Sequence, residues 1–89
     1  KCFLSNIAPN PIKTKAKIRY QISDTRHVKL EIYSINGKKI ETLVNNIHKA
    51  GIYEYEWNII SYEEGIYICK IIAGDYEQSR KVVLLDKNG

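Results

Sequence analysis

The chain has 89 residues, 44% of them hydrophobic and 27% charged, with a formal net charge of +4 at neutral pH. That length makes one domain, which buries roughly 60–65% of its unfolded surface and has no chain to spare for a deep catalytic cleft. The charge is what a small domain carries to stay dispersed, so it makes no case for nucleic acid, and no apolar run approaches the roughly 18 residues that span a bilayer.

The chain opens on Lys1 and holds no Met, which is expected of a fragment of a longer polypeptide. Residues 2–7 form a short mixed run that ends at Ala8-Pro9-Asn10-Pro11, where two prolines forbid a central strand. Across residues 16–23, Ile18, Tyr20 and Ile22 alternate with Lys17, Arg19 and Gln21, a strand buried on one face. A polar turn at residues 23–26 leads to a second alternating run, with Val28, Leu30 and Ile32 on one side. Ser34-Ile35-Asn36-Gly37-Lys38-Lys39 follows, and Asn-Gly predicts a two-residue type I′ hairpin with positive φ at both central positions. The return strand is expected over 38–44, with a loop from Asn45-Asn46 to Ala50-Gly51 and one helical turn at most over 42–49.

Tyr53, Tyr55 and Trp57 then alternate with Glu54 and Glu56, the cleanest strand pattern of the chain. A loop over 58–64 is closed by Gly65. Residues 66–72 are apolar on both faces apart from Lys70, which predicts a central strand covered on both sides. A tight turn at Ala73-Gly74-Asp75 gives way to a last strand over 76–85, apolar in Val82-Val83-Leu84-Leu85. The tail, residues 86–89, reads as a frayed end. Seven short strands with turns every 8–12 residues predict an all-β, immunoglobulin-like Greek-key sandwich of antiparallel strands, filling residues 1–89 as a single domain.

Motifs for chemistry are missing. No GxSxG, P-loop, HExxH or GxGxxG occurs, so no catalytic residue and no cofactor is expected. Cys2 and Cys69 lie far apart, and His27 and His48 are isolated, which argues against a metal site. Cys69 is read as a buried free thiol, with a Cys2–Cys69 bridge left open. Tyr53, Tyr55 and Trp57 would make an aromatic platform if exposed, but theirs is the only apolar face of that strand, so they are expected in the core. The predicted core is Ile18, Ile22, Leu30, Ile32, Tyr53, Trp57 and Tyr67. Lys13, Lys15, Lys17 and Arg19 form a basic stripe, read as a solvated face that keeps the strand from pairing with other chains.

Five signatures in order carry a family resemblance. They are Pro9-Asn10-Pro11; Ile32-Tyr33-Ser34-Ile35-Asn36-Gly37 with Ile40 and Leu43; Ala50-Gly51-Ile52-Tyr53 leading to Trp57-Asn58; Gly65-Ile66-Tyr67 before Ala73-Gly74-Asp75; and Lys81-Val82-Val83-Leu84. From about residue 4 to residue 85 the chain resembles the C-terminal sorting domain (type A) of type IX secretion substrates, a family similar in pattern to the immunoglobulin-like domain of the flagellar hook-capping protein. The resemblance implies a non-enzymatic export signal at the C-terminus of a larger secreted protein. It implies a covalently attached N-terminal cargo and, as partners, translocon or shuttle proteins and a cell-surface sortase. Passage runs through the periplasm and outer membrane to the cell surface or medium.

On this reading Pro9, Asn10, Pro11, Gly37, Gly65 and Tyr67 are shape residues. Recognition is expected at the last strand, Lys81, Val82, Val83 and Leu84, because the end of the chain is expected to offer a free strand edge for a receptor. The alternative is a carbohydrate- or surface-binding accessory module of a secreted hydrolase, which requires Tyr33, Tyr62 and Tyr76 to be exposed. A structural spacer is a third reading.

Overall fold

Alternation of period two, broken by Gly, Pro and Asn turns, folds into seven strands and, among the described residues, no helix. The computed structural model of the chain describes residues 1–85, so the tail at 86–89 lies outside the described residues. The strands are β1 (Phe3–Leu4), β2 (Lys15–Ile22), β3 (Arg26–Ser34), β4 (Lys39–His48), β5 (Gly51–Asn58), β6 (Gly65–Ala73) and β7 (Tyr76–Leu84). They pair antiparallel in two sheets, one ordered β1-β2-β5 and the other β4-β3-β6-β7. This wiring is that of an immunoglobulin-like sandwich.

The inward residues of the two sheets meet in one core. β2 contributes Ala16, Ile18, Tyr20 and Ile22, β3 contributes Val28, Leu30 and Ile32, and Trp57, Cys69, Ile71, Val82 and Leu84 come from β5, β6 and β7. Of the expected core, Ile18, Ile22, Leu30, Ile32 and Trp57 are buried. Tyr53 and Tyr67 are not fully so. Both are half-buried and pack against the core where the sandwich opens between β4 and β5. Each phenol reaches out to a backbone carbonyl four residues earlier, Tyr53 to Lys49 (2.7 Å) and Tyr67 to Glu63 (2.8 Å). The need to satisfy a hydroxyl keeps these rings at the margin.

Two expectations about the middle of the chain are corrected. The hairpin turn is longer than type I′: Ser34 and Lys38 flank a three-residue loop, with Gly37 N–H donating to Ser34 O (3.0 Å) and Ser34 N–H to Lys38 O (2.8 Å). Within this loop Gly37 alone has a positive φ, +91°. A three-residue loop needs one left-handed residue instead of two, so Asn36 is spared a conformation that a β-carbon makes costly. β4 also runs on to His48, with no turn of helix. Its register against β3 slips twice, between Leu30 and Glu31 and between Ile32 and Tyr33. These bulges leave Leu43 and Ile40 as extra residues on β4 and break the alternation that marks a strand.

Cys2 and Cys69 are both buried and unbonded to each other. Burial pushes the Cys69 thiol up to about 12, as expected of an inert core cysteine.

Candidate functional site

The last strand sorts its residues by parity. Val82 and Leu84 point into the core, while Lys81 is exposed and Val83 half-buried on the outer face of the four-stranded sheet. Of the four residues expected to be recognised, only Lys81 and Val83 present side chains to the outside.

The edge of β7 beyond Lys81 is not free. The segment carrying both prolines, each preceded by a cis peptide, runs beside it. Ile12 forms a parallel bridge with Leu84: Ile12 N–H donates to Val83 O (2.7 Å), and Leu85 N–H donates to Ile12 O (2.8 Å). Asn10 extends the contact with its side chain, Oδ1 accepting from Val83 N–H (3.0 Å) and Nδ2 donating to Lys81 O (3.4 Å). Proline fits here because it is tolerated only where no ladder hydrogen bond is needed from its own nitrogen. Further back along β7, Arg80 Nη2 donates to Leu4 O (2.7 Å), and Gln78 accepts from Leu4 N–H (3.1 Å). The expectation of an unpaired strand end is therefore corrected, since the backbone groups that a receptor strand would use at Val83 and Leu85 are occupied from within.

The other shape residues have visible tasks. Gly37 closes the hairpin. Gly65 opens β6 at φ +145°, a region that other residues rarely enter, and the Tyr67 ring lies over it 4.0 Å from where a β-carbon would stand. Tyr62 stacks edge-on between Trp57 (5.2 Å between centroids) and Tyr67 (5.6 Å), which closes this end of the core. At the other end, His48 stacks on Tyr53 (4.2 Å) and Tyr20 (5.8 Å) and shares a 2.9 Å hydrogen bond with the Tyr20 hydroxyl.

The tyrosines required by a glycan-binding reading are not an exposed platform. Tyr33, Tyr62 and Tyr76 are all half-buried, with their hydroxyls bound to Glu31, Glu41 and Gln78. An open groove of about 490 Å³ lies between Ile40, Glu41, Ser61, Tyr62, Glu63 and Tyr67, and the Tyr62–Glu41 contact ties up two of its polar groups.

The basic stripe is solvated, as expected, though not for the reason given. β2 is the middle strand of its sheet and needs no guard against pairing. Instead the carboxylates of β5 face the cations: Lys15 meets Glu56 (3.1 Å), Arg19 meets Glu54 (2.8 Å) and Lys17 lies 4.0 Å from Glu54. With three of its four cations so paired, the stripe should not hold an anionic surface. In co-sedimentation with anionic lipopolysaccharide, reversing Lys13 and Lys17 to Glu should leave the bound fraction unchanged at low and high ionic strength. Binding that both salt and this reversal abolish would contradict it.

Sequence reasoning missed the latch of Asn10 and Ile12 on β7, because prolines mark where a strand cannot be central and give no sign of what lies beside them. It also took the outer face of β6 as covered. Ile66, Ile68, Lys70 and Ile72 line that face, Ile66 is exposed, and the other three are only half-buried.

One comparison with known proteins is informative. The sequence model of the family described as secretion system C-terminal sorting domain matches residues 6–85, most of the chain. No curated protein matches. The chain belongs to the secretion system C-terminal sorting domain family.

Proposed function

We propose that this sorting domain is read as a folded object, through side chains that its last strand holds at fixed places on an open sheet face. The domain is a C-terminal sorting signal for type IX secretion, and proteins that carry it are exported to the cell surface or the medium. Its work is therefore recognition in company with the type IX system and an attached cargo, and the family is not an enzyme family. On our reading, residues 1–89 are the C-terminal domain of a larger secreted protein. Translocon or shuttle components contact Lys81 and Val83, Val82 and Leu84 hold those two in position from inside, and a surface sortase acts after passage.

The observation that carries this reading is the latch of Asn10 and Ile12 on β7. It fixes the strand end in the sheet, so Lys81 and Val83 stand on a rigid surface. A fusion of residues 1–89 to the C-terminus of a periplasmic reporter, in a cell with the type IX machinery, should place the reporter outside the cell. Lys81→Glu should lower that export while leaving the melting curve within about 0.5 kcal/mol of the parent, as surface changes do. A reporter retained in the periplasm with the unaltered domain attached would refute the reading. Full export of the Lys81→Glu fusion would remove Lys81 from the site.

A further inference from the structure

The two outer faces of this sandwich differ in chemistry. On the three-stranded sheet, β2 and β5 display Lys15, Lys17, Arg19, Glu54 and Glu56, which pair with one another. That is a charged, solvated face over most of its length, with exposed Phe3 and Ile52 flanking Gln21 at its β1 end. On the four-stranded sheet, the cross-strand register sets Tyr33 beside Ile68 and Ile68 beside Lys81. Ile66 lies opposite Val83, and Lys29 opposite Ile72. One end of this face is thus an apolar tract of Tyr33, Ile68, Ile66 and Val83 that ends in the exposed Ile66 and Leu85, and a polar row of Glu31, Lys70 and Ser79 separates it from Ile72.

Lysines stand around the tract: Lys39 beside Tyr33 on β4, Lys70 next to Ile68 on β6, Lys81 on β7 and, beyond the polar row, Lys29 on β3. Two of the acids on this face are already engaged. Glu31 is buried, takes a hydrogen bond from Tyr33 (2.8 Å) and faces Lys39 (3.4 Å). Burial works against its ionisation, but the hydrogen bonds from Tyr33 and Lys39, together with the charges of Lys39 and Lys29, outweigh it and hold the carboxyl below its ordinary range. Glu77 lies 3.6 Å from Lys70, whose ammonium also sits 4.6 Å above the Tyr33 ring. Among the described residues, Lys29 and Lys81 have no carboxylate within salt-bridge distance.

We propose that the outer face of the β4-β3-β6-β7 sheet is the docking surface of this domain for a protein of the export machinery whose own surface sets an apolar patch against Tyr33, Ile66, Ile68 and Val83 and bears carboxylates around that patch. The inference rests on the sorting function and deepens it, extending recognition from Lys81 and Val83 to the breadth of the sheet. The occupant is argued from complementarity. An apolar patch within a polar rim is how protein interfaces are built, and lysines without a salt-bridge partner call for acids opposite them. A rigid sheet also loses little freedom on docking.

The test uses the 89-residue chain, a purified outer-membrane shuttle component of the type IX system, and the reporter fusion. Ile68→Glu puts a charge in the centre of the tract. Lys29→Glu reverses a rim charge far from the strand end. Lys17→Glu, on the opposite sheet, is the control. Ile68→Glu should weaken binding by at least about tenfold and reduce export in step, as expected for a residue at the centre of an interface. Lys29→Glu should weaken binding more at low salt than at high salt, and Lys17→Glu should change neither readout. Should Ile68→Glu fail to fold, Lys29→Glu decides, since an exposed charge reversal leaves stability nearly unchanged.

Binding and export that are untouched by both variants, with the parent fusion exported, would overturn the docking surface and leave the sorting function intact. Failure of the parent fusion to leave the periplasm would instead count against the sorting reading itself. Loss of self-association, or of adhesion to anionic lipopolysaccharide vesicles, without loss of shuttle binding would assign the face to a second copy or a lipid surface and overturn the proposal.

Discussion

Deleting residues 80–89 should leave the rest of the chain without a cooperative fold. β7 pairs with β6 along its whole length and sends Val82 and Leu84 into the core. Burying two such side chains contributes about 3–6 kcal/mol by area alone. The deletion also removes the Arg80 contact with Leu4 and the partners of Asn10 and Ile12, leaving buried backbone groups unpaired. A domain with a total stability of about 5–15 kcal/mol does not survive that sum. Circular dichroism on heating should show no cooperative transition in the truncated chain, and a sharp melt would prove the expectation wrong. The consequence for function is direct. A truncated cargo that stays in the periplasm does not separate lost recognition from lost folding, whereas Lys81→Glu, on an exposed side chain, does.

How much of this was legible in the sequence depends on how local the cause is. Alternation in β2, β3 and β5 is a property of neighbours along the chain, so these strands and their buried residues could be read directly. β4 could not be read to its end, because two bulges put the apolar residues out of phase, one at Leu43 and one at Ile40. Tyr53 and Tyr67 keep the apolar phase, and only their hydroxyls, drawn to Lys49 and Glu63, hold them at the margin.

The candidate site was legible as a set of residues and not as a geometry. Pro9-Asn10-Pro11 and Lys81-Val82-Val83-Leu84 stood out separately, but the contact between them spans more than 70 residues and leaves no local pattern. The outer face of β6 was misread for a related reason. An apolar residue facing a covering layer and one facing open solvent look alike in sequence, and Ile66 and Ile68 proved to be of the second kind.

Trp57→Ala should cost about 3–5 kcal/mol, the range for deleting a fully buried aromatic side chain. Trp57 is 1% exposed and lies opposite Ala16 in the β2–β5 register, so the smallest residue on β2 makes room for the largest on β5. Little else in that row can move in to fill the space. The indole also backs the Tyr62 ring, whose hydroxyl is bound to Glu41 on β4. Its loss therefore weakens the link between the 59–64 loop, β4 and β6 at one end of the sandwich. For a domain of this size the melting temperature should fall by at least about 12 °C, and Trp57→Phe, which keeps a ring in the row, should fall by less. Export of a reporter fusion should drop with the folded fraction and recover partly in Trp57→Phe. If Trp57→Ala melts with the parent, the indole is on the surface and the core as described is wrong. If it melts far below the parent while export is undiminished, the type IX system does not require the folded domain, and recognition of a folded face fails with that result.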